Sequence, residues 1–188
     1  MKKYVIIAII ILLKMNSYSQ IQPEKSKDDL YQIQENYIRT YRIFPTENMW
    51  YFIKLNTRTG EMLQIEFDQN NTEQLETPLN SLALDKEHKE IDNRFTLYPT
   101  QNKWTFLLLD QLVGKIWQLN WDTKPEKSGI MPLNNSSLIG EQNEIANRFT
   151  LYPTQNIWNY LLLDKIDGRL WQIRWSKKSG GKEVIPIQ

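Results

Sequence analysis

The chain contains no cysteine, which excludes a disulfide framework, a lipid-modified N-terminal cysteine and a thiolate metal centre. It has one histidine, His88, in the charged stretch LDKEHKE, where it reads as a solvated loop residue. A Ser-His-Asp arrangement would depend on that single imidazole, and no GxSxG accompanies it. With so few imidazole or sulfur donors, no zinc or other transition-metal site is expected. Glycine is scarce, at seven residues, and three of these fall in hairpin turns, so no glycine-rich phosphate loop is available. Neither sign of charge dominates, with 23 basic residues against 22 acidic ones. Without a basic surplus to neutralise phosphates, nucleic acid is not an expected partner. Nothing implies a cofactor.

Long apolar runs are also missing. The longest, Tyr4–Leu13, is too short to span a bilayer as a stable helix. It follows Lys2 and Lys3 and precedes the small residues Ser17 and Ser19, which stand at the spacing of a cleavage site ahead of Gln20. Residues 1–19 therefore read as a signal peptide, with a retained N-terminal anchor as the alternative. The expectation is export to the periplasm or the extracellular space, with no integral membrane span in the mature chain. Losing Lys2, Lys3 and Lys14 leaves 20 basic and 22 acidic residues, a net charge of −2. The remainder, residues 20–188, is long enough for one domain with a sizeable core.

What the chain has in abundance is repetition. Ile91–Trp121, IDNRFTLYPTQNKWTFLLLDQLVGKIWQLNW, returns almost unchanged as IANRFTLYPTQNIWNYLLLDKIDGRLWQIRW at Ile145–Trp175. A more divergent copy, YRIFPTENMWYFIKLNTRTGEMLQIEF, covers Tyr41–Phe67. Pro45, Pro99 and Pro153 are in phase, as are Trp50, Trp104 and Trp158, and the step is 54 residues. Pro78, Pro132 and Pro186 keep the same step, as do Leu30, Leu84 and Leu138. The units are thus about 27–80, 81–134 and 135–188.

Within a unit the hydrophobic period is two, which predicts strands. In the third segment Trp117, Leu119 and Trp121 share one face, opposite Ile116, Gln118 and Asn120. Unit three repeats this with Trp171, Ile173 and Trp175. The aromatic face is expected to be core, and the face carrying the glutamine to be mixed and wet. The second segment is apolar on both sides, as a strand covered above and below requires. Trp50, Trp104 and Trp158 at its start are expected to belong to the structural core. Asn56 with Gly60, Asp110 with Gly114, and Asp164 with Gly168 bracket hairpin turns, with an Asx residue opening each and a glycine closing it. That role also accounts for Asp110 and Asp164 better than a pair of catalytic carboxylates. Each unit is a three-stranded antiparallel meander with a short fourth element at its proline. Helical links are possible over Asp85–Asp92 and Gly140–Asn147, and a short helix over Asp28–Tyr37.

A strand apolar on both faces cannot be buried by one unit, so the units must pack on one another. The fold class is all-β, with the meanders packed as propeller-like blades; the alternative closure is a β-trefoil. Three blades are few for a ring, and a homo-oligomer would complete one. The LLLD-xxx-G-xx-W hairpin resembles the strand-turn-strand element of quinoprotein-type propeller repeats. The longer string RFTLYPTQN, LLLD and GxxWQ resembles repeats in secreted proteins of gut-dwelling bacteria, which implies export and transfers no catalytic residues.

The functional expectation is a secreted, non-enzymatic binding module for a glycan or protein. Gln64, Gln118 and Gln172 are identical in three units, and Phe44, Tyr98 and Tyr152 lie on the corresponding face of the first strand. They form repeated pockets for a glycan or peptide, or each glutamine satisfies a neighbouring main-chain group between units. Burial is the expected fate of Trp117, Trp121, Trp171 and Trp175. The alternative function is a structural or assembly role in the cell envelope, with partners on the edge strands.

Overall fold

The computed structural model describes residues 39–67, 75–140, 143–176, 181 and 183–187. The leader, the short helix at 28–37 and Leu30 lie outside the described residues. Among the described residues, twelve strands form three four-stranded antiparallel sheets, one per unit and each in simple sequential order. The first contains β1 (Tyr41–Pro45), β2 (Tyr51–Asn56), β3 (Met62–Glu66) and β4 (Leu75–Asn80). The second contains β5 (Phe95–Pro99), β6 (Thr105–Asp110), β7 (Ile116–Asn120) and β8 (Gly129–Pro132). The third contains β9 (Phe149–Pro153), β10 (Asn159–Asp164), β11 (Leu170–Arg174) and β12 (Glu183–Ile187). The prolines of the fourth elements sit in edge strands, where a missing ladder donor is tolerated. Every ladder stays within one unit, and none of the strand pairings that would join units into a trefoil barrel occurs among the described residues.

The turns follow from their side chains. The oxygen Oδ1 of Asn56, Asp110 and Asp164 accepts from the main-chain N–H of Arg58, Leu112 and Ile166 at 3.0, 2.9 and 3.0 Å. Gly60, Gly114 and Gly168 close these turns at φ of 78°, 76° and 71°, a region that side chains other than glycine's enter at a cost. The preceding turns are held by Thr46, Thr100 and Thr154, whose hydroxyls each accept from the N–H two residues on.

Two apolar clusters join the sheets. One unites Phe44, Ile53, Leu55 and Met62 of the first sheet with Phe95, Leu97, Phe106, Leu108, Trp117, Leu119 and Trp121 of the second. The other unites Leu107, Leu109 and Ile116 of the second with Phe149, Leu151, Tyr160, Leu162, Trp171, Ile173 and Trp175 of the third. The middle sheet is therefore covered on both faces, and β6 is buried along its whole length. Its equivalents β2 and β10 are buried only at alternate residues.

This stacking corrects the expected wet face of the third strand. Gln64 is 2% exposed and Gln118 is fully buried, because that face meets the next sheet. In the first sheet the faces exchange roles. Met62 and Gln64 are buried, while Leu63 and Ile65 are partly open, since no described sheet lies beyond them. The links are not α-helical among the described residues; a 3-10 turn occurs at Pro125–Lys127. No described helix is long and apolar enough to cross a membrane.

Candidate functional site

The three tryptophans that open the second strands stand at the rim of the sheets. Trp50 and Trp104 are half-buried, and Trp158 is 41% exposed, so none of them is fully buried, although Trp104 packs against the edge of the first cluster. The reason is local. Each follows the Thr-x-Asn turn, with its N–H donated to Oδ1 of Asn48, Asn102 or Asn156. Its carbonyl accepts from the N–H of Phe67, Trp121 or Trp175. This pairing lays one aromatic ring against another across the sheet end. Trp104 stacks on Trp121 at 5.2 Å with an interplanar angle of 20°, and Trp158 lies 4.9 Å from Trp175. In the first unit Trp50 meets Phe67 edge-on at 5.7 Å.

Beside each of the two closer pairs is an open cleft. The cleft of the second unit, about 330 Å³, is lined by Trp104, Thr105, Asn120, Trp121, Asp122 and Lys127. That of the third unit, about 310 Å³, is lined by Trp158, Asn159, Arg174, Trp175, Ser176 and Gly181. All six positions correspond at the step of 54 residues. A further cleft of about 400 Å³ runs between the first and second units, walled by Trp50, Met49 and Trp104 and edged by Glu47, Asn48 and Lys103. Indole faces flanked by amide, hydroxyl and charged groups suit a ligand that is flat and apolar on one side and polar at its edges. The buried hydroxyl of Thr105, on the wall of the second-unit cleft, has no hydrogen-bond partner among the described residues.

Behind the rim, Trp121 is held from the neighbouring sheet. Trp121 donates its indole N–H to Gln64 Oε1 at 2.9 Å, and Gln64 Nε2 donates to the Thr123 carbonyl at 3.0 Å. Gln118 repeats the second contact, donating to the Ser176 carbonyl at 3.2 Å and to Asn120 Oδ1 at 2.8 Å. Trp117, Trp121, Trp171 and Trp175 are 7, 2, 7 and 1% exposed. Phe44 is buried in the first cluster, and Tyr98 is half-buried with its hydroxyl 3.2 Å from Thr150 Oγ1. Only the third copy of this face is open. Tyr152 is 49% exposed and half-buried Gln172 donates to Asn159 Oδ1 at 2.7 Å.

The aspartates of the hairpins have partners that the sequence reading did not single out. Asp110 accepts from Arg94 Nη2 at 2.7 Å and Nε at 3.0 Å. Asp164 accepts from Arg148 Nη2 at 2.7 Å and Nε at 2.9 Å. Both arginines are buried. A signal existed: units two and three pair Arg with Asp at a separation of 16 residues, while unit one has Thr40 with Asn56. Burial pushes Asp110 upward, against the pull of Arg94. At Asp164 burial also pushes upward. It is outweighed by hydrogen bonds from Arg148, the N–H groups of Ile166 and Asp167, and Arg169, which hold the group at about 2.

His88 is not solvated as its charged surroundings suggest. Its side chain is 7% exposed, with Nδ1 2.8 Å from Asp85 Oδ2. Asp85, Glu87 and His88 bring three possible ligand atoms within 4.8 Å of one another. The same Asp85 oxygen already meets Arg94 at 3.0 Å and Lys115 at 3.2 Å, so its charge is committed to cations of the chain. Burial of Asp85 is likewise outweighed, by bonds from His88, the Glu87 N–H and Lys115 and by Arg94, which hold it at about 2.

A pH dependence follows. Asp85 and Asp164 titrate near 2 when folded, below the ordinary 3.8. Their contribution to stability is thus complete above about pH 5 and is lost as the pH falls from about 4 towards 2. Thermal unfolding followed by tryptophan fluorescence should show a midpoint that drops across that window. Asp164→Asn should reduce the slope, and an unchanged slope would remove Asp164 from the account. Compared with protein-family models, with curated proteins and with solved structures, the chain has no match.

Proposed function

We propose that this chain is an exported, non-enzymatic binding module that takes glycans in the tryptophan-walled clefts at the rim of its sheets. The observation that carries the reading is that one cleft recurs, position for position, in the second and third units. An isolated surface groove needs no explanation. A groove whose six lining positions repeat at the period of the chain, with the tryptophan pair kept in both copies and the four other residues changed, offers the same indole wall more than once, and linked weak sites gain by multivalency. The rim tryptophan is present in all three units, including the divergent first. There the core tryptophans have become Leu63 and Phe67.

The sheets are read as propeller-like blades. Support comes from ladders confined to units, from a middle sheet covered on both faces, and from the two clusters that join successive sheets. Blades place equivalent sheet ends along one rim, which sets the clefts side by side.

Glycan-array binding of the purified chain tests the function, with intrinsic tryptophan fluorescence as second readout. Saturable binding to one glycan class is expected, weakened about tenfold or more by Trp104→Ala, as for removal of an aromatic anchor. A blank array with a folded protein would sink the sugar reading in favour of a peptide or protein ligand.

A further inference from the structure

The two interfaces between sheets are built alike. In both, the start of the later sheet donates its main-chain N–H to a hairpin of the earlier one: Phe95 to the Thr57 carbonyl at 2.8 Å, and Phe149 to the Gln111 carbonyl at 3.0 Å. In both, a glutamine of the earlier sheet reaches a main-chain carbonyl just after the third strand of the later one. Each interface therefore has a donor-side face, with Phe95, Leu97, Phe106, Trp117, Leu119 and Trp121 as its second-unit example. It also has an acceptor-side face, with Tyr98, Leu107, Leu109, Ile116 and Gln118 in the same unit.

Each kind of face also occurs once without a described neighbour. The outer face of the first sheet carries Tyr41, Ile43, Phe52, Leu63, Ile65 and Phe67 at the positions of the donor-side face. Tyr41, Ile43 and Phe67 are 59, 64 and 38% exposed, whereas their equivalents Phe95, Leu97 and Trp121 are 0, 4 and 2% exposed. The outer face of the third sheet carries Tyr152, Leu161, Leu163, Leu170 and Gln172 at the positions of the acceptor-side face. Those leucines are partly open, whereas Leu107, Leu109 and Ile116 are fully buried. The three described sheets thus present two different apolar outer faces that match the two halves of their own internal interface.

We propose that two copies of this chain join head to tail, the outer face of β1–β4 in each copy covering the outer face of β9–β12 in the other, to close a ring of six sheets. Contiguous exposed apolar faces mark interaction sites, and the repeat specifies which surface is complementary. A contact between unlike faces closes into a ring or runs on as a filament. Two copies give six sheets, inside the range in which such rings close, and three copies would give nine, outside it. In the closed ring Tyr41 stands where Phe95 and Phe149 stand, and Lys165 where Thr57 and Gln111 stand, so the Tyr41 N–H meets the partner's Lys165 carbonyl. Lys54 replaces the leucine found at positions 108 and 162, but its ammonium lies 2.6 Å from Glu76. It enters the interface as half of a pair and not as a bare charge. The proposal rests on the stacking of the sheets and not on the sugar reading.

Sedimentation equilibrium and native mass spectrometry of the purified chain test it. The expected species has twice the mass of the single chain. Ile43→Arg and Tyr152→Arg, each at an exposed position and on opposite faces, should each weaken dimerisation on the order of a hundredfold, by setting an unpaired charge in the interface. Both should keep the circular dichroism of the parent. A monomer at high micromolar concentration would overturn the proposal and turn attention to residues 1–38 or another protein as the cover. A mass that grows without limit would overturn ring closure, and a dimer indifferent to both substitutions would overturn the faces assigned. Glycan binding retained by a monomer would separate this failure from failure of the proposed function.

Discussion

Replacing Arg94 by alanine should cost about 3–5 kcal/mol of folding stability, the usual penalty for stripping the partner from a buried charge. The guanidinium is fully buried and serves three purposes at once. It neutralises Asp110 at 2.7 Å, it meets Asp85 at 3.0 Å, and its Nη1 donates to the carbonyls of His88 and Lys89 at 3.2 and 3.1 Å. The last two bonds tie the irregular link between the first two units to the hairpin of the second. The chain itself supplies the control. Unit one replaces the Arg and Asp by Thr40 and Asn56, and there the asparagine alone opens the turn. Arg94→Thr with Asp110→Asn should therefore be more stable than Arg94→Thr alone, because the double change removes the charge that would otherwise be stranded. Chemical denaturation of the three variants gives the answer. A double variant no better than the single one would mean that the link contacts of Arg94, not its charge, set the cost.

Trp121→Ala should be comparably severe, about 3–5 kcal/mol for loss of a large aromatic from a filled core. The ring is 2% exposed. It packs edge-on against Tyr51 at 5.9 Å and face-on against Trp104 at 5.2 Å, so it joins two sheets and also backs the cleft. Trp121→Phe, which copies Phe67 of unit one, keeps much of the volume and discards the indole N–H. Its cost should fall to about 1–3 kcal/mol, the penalty for leaving the buried Gln64 Oε1 without its donor. Gln64→Leu in the Trp121→Phe background should then cost less than Gln64→Leu in the parent, since the bond between the two residues has already gone. Equal costs in both backgrounds would show that Gln64 and Trp121 act independently.

Much of the architecture was legible in the sequence for a specific reason. The step of 54 residues is undisturbed, so each strand could be read three times and a noisy alternation in one unit corrected by the others. The Asx and glycine positions located the hairpins because glycine enters the left-handed region at Gly60, Gly114 and Gly168 without a Cβ to clash. What could not be read was which face met a neighbour. Period two assigns residues to two faces, but it does not say that a second sheet lies over Gln118 and none over Leu63. Burial of a glutamine is a property of the stack, and Gln118 and Gln172 have almost identical local sequences with different surroundings. The rim position of Trp104 was missed for a related cause. A tryptophan at the start of an apolar strand has the composition of core, and only the turn bonds of Asn102 aim it along the sheet end. The arginine–aspartate pairs were visible as a covariation between units, Arg with Asp and Thr with Asn, which alternation alone does not expose.

The most direct test is a calorimetric titration of the chain with an oligosaccharide selected on the array, read for the number of sites per chain. The clefts of the second and third units should give two sites per chain, with Trp104→Ala leaving one and Trp104→Ala with Trp158→Ala leaving none. Binding unchanged in the double variant would contradict the assignment of function to these clefts.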